Sequence, residues 1–282
     1  MIFMLILVTL FFTWQTGGKI LLPQNVSNLI SQNAYVFVLA TGMLLCILTG
    51  GNIDLSVGSV VCFVGAIGAM MMENWGVHPI LAVVVMLILG TAIGAMQAFW
   101  IAYLKIPPFI TTLAGMLIFR GLSNVVLQGL TVSLTNQTFI RLFGGGANCY
   151  VPDIFGGAIN ITCVLAGALA CVILVLAQLK AYATRKKKGY ATGKFSSVVI
   201  KVAVLCAVIM AFAIQLSRFR GIPTALIWVL VVVLVYGYIT SNTTIGRHFY
   251  AVGGNEKATK LSGINTKRVY FLAYTNMGLL AA

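Results

Sequence analysis

Few groups in this chain could do chemistry. Its 282 residues hold four carboxylates: Asp54, Glu73, Asp153 and Glu256. The two histidines, His78 and His248, stand alone in polar connections between apolar runs. Cys46, Cys62, Cys149, Cys163, Cys171 and Cys206 carry neither a CxxC nor a histidine spacing. Five of them lie in apolar runs, where cysteine acts as a small hydrophobe. That spacing offers no disulfide framework and no metal site. There is no GxxxxGK[ST] phosphate loop, no HExxH and no GxSxG elbow. The chain therefore reads as no enzyme. The scarcity of acids in apolar runs also opposes the alternative of an ion-coupled secondary solute carrier, which places buried carboxylates in the membrane.

Three stretches remain. In "GGNIDLSVGS", Gly50–Ser59, the glycine pair lets the chain turn, and Asn52 or Asp54 can cap the helix that follows. Asp54, with Asn52 and Ser56, is equally placed to line a polar pathway, since ionisable residues at membrane depth often do. The two roles are compatible. In "KIPPFITTL", Pro107 and Pro108 open a helix where a missing N–H costs least. Thr111 and Thr112 then either bond back to the helix or meet a hydroxylated solute.

The other stretch is "GRHFYAVGGNEKATKLSGINTKRV", Gly246–Val269. Asn255 is a good N-cap, and Glu256 suits the positive first turn. Glu256 and Lys260 form an i,i+4 pair in the favourable order. Gly263 supplies a left-handed stop. The result is a helix of about eight residues, too short to be stable alone in water. Ala258, Leu261 and Ile264 give it a small apolar face. It is either an amphipathic loop on the lipid headgroups or a helix that docks in a groove of a partner.

These stretches sit among long apolar runs. Sixty per cent of the residues are hydrophobic and 8% charged, against about 25% charged in an ordinary soluble domain. Runs of this length cross a hydrocarbon core of roughly 30 Å, and continuous runs rather than alternation select helices over a barrel. The expected fold is an all-α polytopic membrane protein forming one transmembrane domain over 1–282. About nine spans are expected: Ile2–Trp14, Ala34–Thr49, Leu55–Met72, Pro79–Tyr103, Phe109–Leu127, Ile159–Leu179, Ser197–Leu216, Ile222–Ile239 and Val269 onward. The last is cut short, so truncation at the C-terminus is expected. Gly90, Gly94 and Ala98 form a small-residue stripe that lets helices pack closely.

The net charge of +14 does not point to nucleic acid, because no soluble domain carries a groove reader. It follows membrane topology instead. One side holds Lys105, Lys180, Arg185, Lys186, Lys187, Lys188, Lys194, Lys201, Arg247, Lys257, Lys260, Lys267 and Arg268; the other holds Lys19, Arg141, Arg218 and Arg220. The rule that basic loops stay inside then sets a cytoplasmic N-terminus, an inner Lys180–Lys194 loop and an outer Gln128–Asn160 loop.

Three stretches, "GGNIDLSVGS", "KIPPFITTLAGMLIFRGLSNVV" and "GRHFYAVGGNEKATKLSGINTKRV", together resemble the membrane permeases of bacterial ABC sugar importers of the ribose/xylose/galactose type. The likeness runs from about Ala34 to the end, with Asn52 where Gly or His is expected. The Lys180–Arg220 segment resembles the multiple-monosaccharide branch. The resemblance implies a permease of the bacterial inner membrane, with no cofactor of its own. It implies as partners a cytoplasmic ABC ATPase that uses ATP and Mg, an extracytoplasmic sugar-binding protein and a second permease copy. It makes the 246–268 segment the coupling element, with Gly254, Asn255, Glu256, Ala258, Leu261, Ser262 and Gly263 set against the ATPase.

Overall fold

A computed structural model describes residues 2–144, 149–156, 159–189 and 195–282. Lys194, and positions 145–148 and 157–158 of the expected outer loop, lie outside the described residues. Among the described residues twelve α-helices follow in order: α1 (Ile2–Gln15), α2 (Pro23–Leu48), α3 (Val57–Glu73), α4 (Pro79–Ala102), α5 (Pro108–Leu127), α6 (Gln137–Phe143), α7 (Ile161–Lys187), α8 (Phe195–Ser217), α9 (Thr224–Asn242), α10 (Thr244–Gly254), α11 (Glu256–Leu261) and α12 (Thr266–Ala281). Six of them, α2, α4, α5, α7, α8 and α9, are long and apolar enough to cross a membrane, and α1 and α3 are shorter apolar helices. The protein is an all-α, multi-pass membrane protein.

Local chemistry sets the ends. Pro23, Pro79 and Pro108 each open a helix at a position whose N–H would go unpaired anyway. Asn160, Thr243, Asn255 and Asn265 cap α7, α10, α11 and α12 with side-chain oxygens. Gln128, at φ 52°, ends α5 in the left-handed region.

Two boundaries and one extra element differ most from expectation. Helix α2 starts at Pro23 rather than Ala34. Its first turns are rich in Asn, Ser and Gln, which mask an apolar pattern without breaking a helix. Helix α7 runs to Lys187 rather than Leu179, because Lys and Arg are good helix formers and extend it beyond the apolar run. Helix α10, a separate helix directly after α9, was not expected. His78 caps α4, its Nδ1 accepting from the Ile80 N–H at 3.4 Å.

The chain divides into two compact units, one of residues 1–32 and 144–227, the other of 33–143 and 228–282. In the first, α7 and α8 pair antiparallel. A Cβ on Gly167 would stand 2.6 Å from the Ala213 Cβ, and the Cys163 thiol meets the Ala213 carbonyl at 3.3 Å. The second unit has the larger core. There α4 and α12 cross through glycine: a Cβ on Gly94 would lie 2.7 Å from the Tyr274 carbonyl oxygen, and one on Gly90 2.6 Å from that of Gly278. The small-residue stripe is thus a packing seam, with Gly278 as its counterpart. Leu45, Cys46, Ala98, Phe249, Val252 and Met277 are buried beside it.

Candidate functional site

The polar segment is built from short-range bonds. Asn255 Oδ1 accepts from the Ala258 N–H at 3.0 Å and starts α11. Thr259, the buried residue of α11, donates its hydroxyl to the Ala251 carbonyl at 2.8 Å and so pins α11 to the end of α10. At the other end Gly263, at φ 87°, donates to Lys260 O, while Ile264 N–H reaches back to Thr259 O at 3.3 Å. These two bonds make a Schellman stop. Ser262 donates its hydroxyl to Ala258 O at 3.0 Å. The cap and the glycine stop stand where the sequence puts them, although the helix has six residues rather than eight. Ala258 is exposed, and Leu261 is 90% exposed. Their apolar face is unused by this chain.

Glu256 does not pair with Lys260. Its Oε2 accepts from the Tyr270 hydroxyl at 3.1 Å, which ties the start of α11 to the first turns of α12. An exposed i,i+4 pair contributes only about 0.3–0.5 kcal/mol, so a neutral donor held in place by a packed helix displaces it. Tyr270 also lies against the Gly50 turn, where an added Cβ would be 3.7 Å from the phenol oxygen. Gly253 makes a second link. A Cβ there would fall 1.9 Å from the Leu48 carbonyl oxygen at the end of α2. Only glycine permits that approach. The polar segment therefore abuts the turn that leads to Asp54.

Within that turn Asp54 is buried, but it is not the helix cap. The N-cap of α3 is Ser56, which makes no side-chain cap bond. Asp54 Oδ1 instead accepts from the Ser56 N–H at 2.8 Å and the Ser56 hydroxyl at 2.7 Å, closing a turn two residues long rather than the first turn of the helix. Ser56 Oγ also lies 3.0 Å from the Gln97 amide on α4. The Ser56 proton goes to the carboxylate, so the oxygen is free to accept. Of the two orientations of the Gln97 amide, the one with nitrogen toward Ser56 lets that N–H donate to the serine oxygen. A buried polar chain Asp54–Ser56–Gln97 results.

Helix α5 closes over this chain at Gly115, where a Cβ would be 2.4 Å from the Gln97 amide. One turn earlier come the two threonines, both buried. Thr112 bonds back to Pro108 O at 2.8 Å, while the Thr111 hydroxyl has no partner. Asn52 stands apart from them, donating to Thr49 O at 3.1 Å and lining a cleft beside α11. Gln97, Gly253 and Tyr270 are the residues sequence reasoning missed. A lone amide in an apolar span was the available signal for Gln97; nothing in the spacing marks the other two.

Six helices long and apolar enough to cross a membrane, a capped polar helix and a buried polar chain define the class: a multi-pass helical membrane protein with polar groups among its apolar helices. The chain belongs to the family described as branched-chain amino acid transport system / permease component, whose model matches residues 25–177 and 161–282. It is 35% identical over 283 residues to the xylose transport system permease protein XylH of Escherichia coli (strain K12), covering 100% of this chain and 69% of that protein. To the ribose import permease protein RbsC of the same strain it is 30% identical over 259 residues, 92% of this chain and 59% of the relative. A third relative, the inner membrane ABC transporter permease protein YjfF of that strain, is 46% identical over 103 residues, 36% of this chain and 31% of YjfF. No solved structure matches.

Proposed function

We propose that this chain is the permease subunit of an ATP-binding cassette importer that moves monosaccharides across a bacterial inner membrane. The relatives named for xylose and ribose support the solute class. The N-terminus faces the cytoplasm, so α11 and the Lys180–Lys194 loop lie inside and Gln128–Asn160 lies outside, in line with the basic bias. A separate ATPase subunit hydrolyses Mg-ATP and receives α11. A sugar-binding protein docks outside, and a second permease copy completes the pathway. Asn52, Asp54, Ser56, Thr111 and Thr112 line that pathway when the helices part.

The observation that carries this reading is the placement of α11. It is capped at both ends and tied to α12 through Glu256 and Tyr270, yet its Ala258 and Leu261 face is left exposed. A groove on the ATPase takes that face. Force on α11 then reaches α12 through the Glu256 bond and the Gly263 stop, and reaches the Asp54 turn through Gly253 and Leu48. The chain itself catalyses nothing.

Ala258→Glu puts volume and an unpaired charge into a packed interface, with a loss of several kcal/mol expected. At matched membrane levels it should lose both the copurifying ATPase and uptake of labelled monosaccharide. Normal association and uptake would reduce α11 to an amphipathic loop and overturn the assignment.

A further inference from the structure

We propose that the cleft between α11, the start of α12 and the α4–α5 turn binds the phosphate headgroup of an anionic phospholipid. The cleft measures about 760 Å³. Lys105 of the α4–α5 turn, Lys260 of α11 and Lys267 of α12 all line it, as does one carboxylate, Glu256. Glu256 is already engaged by Tyr270. Three ammonium groups against one occupied carboxylate leave the cleft cationic. Among the described residues none of the three lysines forms an ion pair. Lys267 Nζ lies 5.9 Å from the centre of the Tyr103 ring.

Position distinguishes a lipid from other anions. The cleft lies where spans end: Ile101 and Ala102 close α4, Pro108 opens α5 and Thr266 opens α12. Beside it Tyr103, Leu104, Phe109 and Ile110 are exposed, forming an apolar shelf at the level where a headgroup meets its acyl chains. A basic pocket between helix ends next to such a shelf fits an anionic lipid. A free phosphate would use the lysines and leave the shelf unexplained. Lys105 adds a separate sign. It is held at φ 58°, one of two non-glycine residues at positive φ among the described residues, and backbone strain of this kind clusters at ligand clamps.

The test uses the full permease, stripped of lipid in detergent and then given phosphatidylglycerol or phosphatidylcholine. Native mass spectrometry reads the lipid retained. Phosphatidylglycerol should be held about tenfold better than phosphatidylcholine, and Lys105→Gln with Lys267→Gln should abolish that preference. Lys186→Gln with Lys187→Gln, an equal charge change on α7, should keep it. If the double variant fails to fold, Lys105→Gln alone should show a partial loss. Equal retention of the two lipids overturns the proposal, as does an unchanged preference in the double variant. Displacement by inorganic phosphate would make the site a free-anion site, and displacement by the purified ATPase would assign the cleft to a protein; either overturns it too. None of these readouts depends on which solute is transported.

Discussion

The Tyr270 hydroxyl donates to Glu256 Oε2 at 3.1 Å, joining the short helix α11 to the helix that follows it. Between these residues the chain makes the Gly263 turn, so α11 is held to α12 by covalent connection and by this bond. Without the bond, α11 would keep the Thr259 tie to α10 but lose this side-chain tie to α12. Tyr270→Phe removes the hydroxyl and keeps the ring. Membrane level should be unchanged, and uptake should fall about two- to tenfold, the worth of one hydrogen bond. Unchanged uptake in transport assays would mean that the link carries no force.

Gly253 and Gly254 are neighbours with opposite expectations. A Cβ on Gly253 would meet the Leu48 carbonyl oxygen at 1.9 Å, while one on Gly254 meets nothing within 4 Å. Gly253→Ala should therefore lower the thermal midpoint in detergent or reduce the membrane level, with a cost of about 1–3 kcal/mol or more. Gly254→Ala should match the parent in both. Equal behaviour of the pair would refute the close approach of α10 to α2.

Gly263 holds φ 87°, a conformation that a β-branched residue adopts only with strain. Gly263→Val should leave insertion intact, because no span changes. It should break the Schellman stop and weaken ATPase copurification. Gly263→Asn, which tolerates the left-handed region better, should restore most of it. Equal loss from Val and Asn would point to the side chain rather than the backbone.

Asp54→Asn retains an oxygen for the Ser56 N–H and hydroxyl, so the turn should form and the protein level stay near normal. Asp54→Leu strands the Ser56 N–H in a buried place, at a cost of about 1–3 kcal/mol, leaves the hydroxyl only the Gln97 amide 3.0 Å away, and should lower the thermal midpoint. Gln97→Leu leaves the Ser56–Asp54 bonds intact and should cost less. Uptake separates fold from transport: if Asn folds but fails to transport, the charge itself serves the pathway.

Asp153, in the α6–α7 connection, titrates below its ordinary value. The Thr162 hydroxyl that bonds it at 2.8 Å is the main cause, with backbone N–H groups adding to it. A depressed carboxyl stabilises the fold above its unfolded value and loses that contribution as pH falls through the folded one. The Thr162 contact should therefore persist at neutral pH and open only in acid below the usual carboxylate range. Amide exchange at Ile154, whose N–H bonds Thr162 Oγ1 at 3.1 Å, should rise there. A rise already near pH 6 would contradict the assignment.

What the sequence by itself determined is what short-range physics controls. Long apolar runs required helices, because lipid leaves only helices or closed barrels to satisfy the backbone, and continuous runs lack the alternation of a barrel. Asn255 and Gly263 marked the ends of α11, because a cap and a left-handed stop act within a few residues. Gly90 and Gly94 announced close packing, though not its partner Gly278. Only the tertiary structure decided what joins these parts. Glu256 chose Tyr270, fourteen residues on, over the lysine one turn away. Asp54 turned inward to a serine that meets an amide from another helix. Gly253 came against Leu48, some two hundred positions earlier in the chain. Such pairings depend on how packed helices bring distant residues together, and no local spacing encodes them.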